Sequence, residues 1–270
     1  MRFDSNRAWT EATEIVRANR AVLWAVAGVF LALPVFAITL LAPPPEAPEG
    51  ADPRALMDLM GAYYTQAAPW FLAMAACQLI GTLTMLALFT DRSRPTVAEA
   101  LQQGVKGLLP TILAQILAGF AFFLVAILLI GPASLAGPAA TAVAVVLALM
   151  GFAYGVTRIS MVAPVVMVEG QRNPLAALTR SWRLTEGNAG RLLFFYALLF
   201  LGFWITVLLL GGLADLGLRL ILGEQLGAPL GAFVAAALQA VMTIYFTAVY
   251  AATHRQLAGP SASNQASTFE

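Results

Sequence analysis

Of the chain's 270 residues, 60% are hydrophobic and only 11% charged, against an ordinary charged share of about 25%. A soluble domain could not cover that much apolar surface, and the apolar residues fall in several long runs, which points to a multi-span helical bundle rather than a soluble domain with one anchor. A net charge of +1 provides no basic field for nucleic acid, and the lone Cys77 excludes an intramolecular disulfide or a thiolate metal cluster.

The chain opens with about twenty polar or amphipathic residues, MRFDSNRAWTEATEIVRANR, where a signal peptide would place an apolar run directly after a short basic stretch. It is therefore read as mature protein. Trp9, Ile15 and Val16 alternate there with Arg7, Glu11, Glu14 and Arg17, an amphipathic pattern. Crossing about 30 Å of hydrocarbon takes roughly twenty helical residues. Six runs qualify, centred on 21–42, 67–90, 108–131, 138–163, 191–212 and 229–252. Gly131-Pro132 and a few small residues separate the third from the fourth, predicting a tight helical hairpin. Ala42 to Pro48 is proline-rich and reads as a stiff exit from the first span.

Basic residues set the expected orientation. Arg2, Arg7, Arg17, Arg20, Arg92, Arg94, Lys106, Arg172, Arg180, Arg183, Arg191 and Arg255 fall on one side of the six runs, and Arg54 and Arg219 on the other. Because basic residues are retained in the cytoplasm, both termini are expected there, in a bacterial inner membrane. The opposite loops are acidic, with Glu46, Glu49, Asp52, Asp58, Asp215 and Glu224.

Three helix starts align. Asp4, Thr96 and Asn173 are suitable N-caps, each followed four residues later by alanine (Ala8, Ala100, Ala177) and fifteen later by a polar residue (Asn19, Thr111, Asn188). Thr96-Val-Ala-Glu99 has the form of a capping box, and Pro174 takes the first helical position after Asn173. The expected fold is thus an all-α polytopic transmembrane bundle forming a single domain over residues 1–256. It is built from three repeats, about 4–90, 96–169 and 173–256, each a cytoplasmic amphipathic helix plus two spans. Residues 257–270, small and polar, read as a disordered cytoplasmic tail.

In the third unit Leu175, Leu178 and Trp182 share a helical face from which Arg180 and Arg183 are displaced. That is the pattern of a helix lying in the headgroup layer with its arginines near anionic lipid. Arg180, Trp182, Arg183 and Asn188 are accordingly the candidate contacts for lipid or a partner protein. Arg158 interrupts an apolar segment running from Ala139 to Val168. Entering near 138, a helix reaches it after roughly 30 Å, so it either snorkels to the headgroups or makes a contact within the bundle. Glu169 lies about 16 Å further along a straight helix. A kink at Pro164 between them would be needed to pair the two charges, and Arg158, Pro164 and Glu169 form a candidate intramembrane or interfacial site.

Enzyme signatures are sparse. His254 is the only histidine, and no second His or Cys accompanies it for zinc. Neither a G-x-S-x-G elbow, a P-loop nor a dinucleotide glycine fingerprint occurs, so no catalytic residue, metal or cofactor is expected. A membrane-embedded hydrolase would require two of His254, Glu169 and a serine within hydrogen-bond reach.

The stretch Arg158-Ile-Ser-Met-Val-Ala-Pro164-Val-Val-Met-Val-Glu169-Gly170, followed by Asn173 through Asn188 with its Arg180-Ser181-Trp182 core, resembles a known group. It is similar to the membrane domain associated with bacterial glycerophosphoryl diester phosphodiesterases and to related polytopic inner-membrane proteins. Ala8-Trp9, with Asn19 before the first span, fits the same pattern. The resemblance implies membrane location and a multi-helix fold. It does not imply hydrolase activity, because the fused enzymes carry catalysis in a separate soluble barrel. The expected function is that of a non-enzymatic integral membrane protein associated with the envelope or its lipids. The alternative is a transporter or lipid-translocating protein with a cavity near Arg158.

Overall fold

The computed structural model describes residues 2–45, 48, 50, 52–90 and 95–259, and among these it is helical with no strand. Arg92, Arg94, Glu46, Glu49 and most of the carboxyl tail, all named above, lie outside the described residues. Six helical stretches are long and apolar enough to cross a membrane: Ser5–Leu41, Pro53–Thr90, Val97–Ala136, Pro138–Val168, Ala189–Leu222 and Glu224–Ala258. The protein is therefore an all-α, polytopic membrane protein.

We label the helices α1 (Ser5–Leu41), α2 (Pro53–Thr90), α3 (Val97–Ala136), α4 (Pro138–Ile159), α5 (Val162–Val168), α6 (Pro174–Leu184), α7 (Ala189–Leu222) and α8 (Glu224–Ala258). Several carry proline in their interior: Pro69 in α2, Pro110 and Pro132 in α3, and Pro229 in α8. In α1, Pro34 follows a π-helical turn at Gly28–Ala32 in which Leu33 N–H bonds Gly28 O. The missing proline N–H is absorbed there by a widened turn rather than a break.

The helices depart from the sequence expectation in two respects. Amphipathic stretch and span are one continuous helix in α1 and again in α3, and only α6 stands apart from its span. The physical reason lies at Gly187, whose φ of 73° ends the third amphipathic helix, whereas no such left-handed residue interrupts α1 or α3. The hairpin between the third and fourth spans turns at Gly137, with φ 114°, and not at Gly131-Pro132, through which α3 continues.

The chain packs as two compact units. The first comprises Met1–Ala18, Leu83–Gly202 and Tyr245–Glu270. Its core holds Leu83, Met85, Leu86, Met161, Val165, Val166, Leu192 and Val249, with alanines such as Ala8, Ala100, Ala177 and Ala252 fully enclosed. Small side chains of this kind let helix backbones approach in lipid, where no hydrophobic force draws helices together. Gly155 of α4 likewise meets the ring of Phe122 on α3, and Gly107 meets Met167.

All three helix starts fall in this unit and are capped. Asp4 Oδ1 accepts from Arg7 N–H, Thr96 and Glu99 form the reciprocal capping box, and Asn173 Oδ1 accepts from Leu175 and Ala176 N–H. The alanine four residues on is fully buried each time. Large apolar residues such as Phe120, Phe123, Leu128, Val146, Leu149 and Phe194 are exposed instead, the outward face expected of a lipid-immersed helix.

The second unit comprises Asn19–Thr82 and Phe203–Ile244. Gly81 packs on Phe30, Phe36 meets Phe233 edge to face with centroids 5.6 Å apart, and Tyr63 donates its hydroxyl to Ala42 O. Gly227 and Gly231 lie against the backbone of Arg219 and Asp215, so this small-xxx-small pair closes the α7–α8 turn within the chain. Arg219 pairs there with both Asp215 and Glu224.

Candidate functional site

The charged and polar residues of the first unit gather around a broken helix. Pro164 lacks an N–H and its ring crowds the preceding turn, so α4 ends at Ile159 and α5 restarts at Val162. In a continuous helix Arg158 O would accept from Val162 N–H, and Met161 N–H would donate to Thr157 O. The break removes both partners, and α6 replaces them. Ser181 Oγ donates to Arg158 O at 2.8 Å and accepts from Met161 N–H at 3.2 Å, while Thr185 Oγ lies 3.3 Å from Arg158 O. Both hydroxyls are fully buried, where an unsatisfied backbone group would be costly.

Arg158 is 5% exposed. Its guanidinium carbon sits 4.4 Å from the Trp182 ring centroid and 5.9 Å from that of Tyr154, and the two rings meet edge to face. Its Nε makes no hydrogen bond, and the guanidinium lies over the Trp182 ring, a contact that favours the buried charge. Arg158 does not pair with Glu169.

Glu169 instead caps the end of α5 and turns to Arg180 and His254. Arg180 Nε donates to it at 2.8 Å and 3.2 Å, and His254 Nε2 lies 3.0 Å from its Oε1. The helix is interrupted at Ser160–Met161, three residues before Pro164, and beyond it Glu169 meets α6 and α8 rather than Arg158. Burial alone would push the Glu169 carboxyl up. The hydrogen bonds and charges of Arg180 and His254 outweigh it and hold the group below its ordinary value of 4.5.

Asn188 is not on an exposed face. It is 6% exposed, and its Oδ1 accepts from Phe3 N–H at 2.8 Å. The N-terminal segment is held a second time by the end of α8, where Gln256 and Asp4 exchange two hydrogen bonds at 3.2 Å and 3.3 Å. Arg255 bridges Glu11 at 3.0 Å and donates to Phe89 O near the carboxyl end of α2, a favourable place for a cation.

On α6, Ala177, Ser181 and Leu184 face inward, whereas Leu175 is 62% and Trp182 44% exposed beside Arg183. Arg183 is in no ion pair among the described residues. Sequence reasoning singled out Arg158, Pro164, Glu169, Arg180, Trp182, Arg183 and Asn188, and named His254 with Glu169 only as a condition for a hydrolase, but it gave no structural role to Ser181 or Thr185. Pro164 carried the missing signal, since a predicted break implies orphaned backbone groups in need of hydroxyl partners.

Chemically, the cluster pairs a carboxylate with the Arg180 guanidinium and the His254 ring and seals a helix break. Ser160 Oγ donates to Thr157 O as Ser181 Oγ does to Arg158 O, so each hydroxyl is committed to a backbone carbonyl. Among the described residues no group of three or more His, Cys, Asp and Glu is placed to hold a metal. Compared with known proteins, the chain matches no family model, no curated protein and no solved structure.

Proposed function

We propose that the protein is a non-enzymatic component of the bacterial inner membrane that engages anionic lipid of the cytoplasmic leaflet through α6. One observation carries this reading: α6 buries one face and leaves Leu175, Trp182 and Arg183 exposed together. An apolar edge flanked by a cation fits a helix lying in the headgroup layer. The orientation rests on the basic residues, twelve on the side of both termini against two on the other. Kinship with the membrane domains associated with glycerophosphoryl diester phosphodiesterases remains part of the proposal, supported by the Arg158–Asn188 segment. So does a threefold repeat, supported by the three capped starts and their buried alanines.

The test is lipid retention. The variant Arg183→Gln with Leu175→Ser should lower the ratio of anionic to zwitterionic lipid co-purifying in mild detergent, by about fivefold for the lost arginine. An unchanged ratio sinks the reading.

A second reading has its own observation. The 3.0 Å contact of His254 with Glu169 meets the geometric condition stated above for an embedded hydrolase. Labelling of a serine by a fluorophosphonate, abolished by His254→Ala, would favour that reading over the first.

A further inference from the structure

A cavity of about 390 Å³ opens in the first unit between the N-terminal segment and the first turns of α7. Phe3 and Ser5 form one wall, and Arg191, Phe194, Phe195 and Leu198 form the other. The latter four share one helical face by their spacing. The walls are fixed to each other by the Asn188–Phe3 hydrogen bond and by the Phe3 and Phe195 rings, 5.6 Å apart. The opening is therefore a built groove of a size ordinary for ligand sites.

Its chemistry changes along the helix. Arg191 lines the cavity from the first turn of α7, which contains no acidic residue, and it joins no ion pair among the described residues. A cation at the positive end of a helix is misplaced without an anion beside it. Phe194 and Leu198 follow about 4.5 Å and 10 Å further into the span, both exposed and apolar. A phosphate set on Arg191 with hydrocarbon running over Phe194 and Leu198 matches this order. A free phosphate would use the arginine and leave the apolar wall bare.

We propose that this groove binds one anionic phospholipid, its phosphate on Arg191 and an acyl chain along Phe194 and Leu198. The site shares no residue with the exposed edge of α6. It rests on the reading of the chain as a lipid-immersed protein and not on α6 as the lipid contact.

Native mass spectrometry of the full chain, titrated with phosphatidylglycerol and with phosphatidylcholine of the same chains, tests it. The first phosphatidylglycerol should bind about tenfold more tightly than phosphatidylcholine, and Arg191→Gln should abolish that preference. The variant Arg183→Gln with Leu175→Ser should retain it, and excess inorganic phosphate should not displace the lipid. Equal binding of the two lipids, retention of the preference in Arg191→Gln, its loss in the α6 variant, or displacement by phosphate would each overturn the proposal. The unaltered protein gives a check independent of folding defects: a phosphatidylglycerol with a photoreactive acyl chain should label residues 190–198, and labelling confined to other segments overturns the site.

Discussion

Ser181 is the residue on which the site's geometry depends most directly, because its single hydroxyl serves both an acceptor and a donor freed by the helix break. Ser181→Ala should destabilise the protein by about 1–3 kcal/mol, the cost of leaving a buried partner unsatisfied. Thr185→Ala should cost less on its own. The two should be non-additive, since they share Arg158 O. Thermal unfolding in detergent measures this, and a midpoint for Ser181→Ala equal to that of the parent would refute it. Arg158 and Trp182 can be tested as a pair, with a double-mutant cycle expected to return about 0.5–2 kcal/mol of coupling. Glu169 makes a pH-dependent contribution of definite sign. Its folded-state pKa is lowered, so its contribution is complete above the ordinary carboxyl range and is lost as pH falls through the lowered value. The stability difference between parent and Glu169→Gln should accordingly shrink as the pH drops below 4.5. A difference that stays constant from pH 6 to about pH 3 would contradict the assignment.

Glycines separate packing within the chain from packing between chains at the scale of elements. Gly155 faces Phe122 across the α3–α4 contact, while an added Cβ at Gly151 meets nothing within 4 Å. Gly155→Leu should lower stability by about 1–3 kcal/mol through overpacking, and Gly151→Leu should be nearly neutral. Gly151 and Gly155 form a G-x-x-x-G pair, and if it served dimerisation, both substitutions would alter the oligomeric state by size-exclusion chromatography with light scattering. Helix α6 illustrates a different device. Asn173 and Pro174 start it, Gly187 allows the turn after it, and Ser181 and Thr185 secure it to the broken helix beside it. An amphipathic helix so anchored can expose Leu175 and Trp182 without detaching.

The topology proposed for the whole molecule, with both termini in the cytoplasm, is supported by six candidate spans and by the distribution of basic residues along the sequence. In a Cys77→Ala background, Gly50→Cys should be labelled in intact cells by an impermeant maleimide, and Ser5→Cys only after the membrane is opened. Reversed labelling would invert the proposed leaflet for both lipid contacts while leaving the span count untouched. The exposed leucines and phenylalanines of α3, α4 and α7 are in keeping with that immersion, because hydrocarbon is no less favourable an environment for them than a protein core.

Membrane spans and capped helix starts were legible in the sequence, because each depends on hydropathy or capping chemistry within one stretch of chain, and Pro164 marked the neighbourhood of the interruption that the helix makes at Ser160–Met161. The ends of helices were less so, since α1 and α3 simply continue where no left-handed residue stops them. Tertiary structure alone decided which charges meet. Glu169 finds His254 across 85 positions, and Asn188 holds Phe3 across 185. Such pairings have no periodicity for a sequence to display. They arise from which helices pack together, and so the stacked Arg158, the doubly paired Glu169 and the groove at Arg191 emerge only in the folded chain.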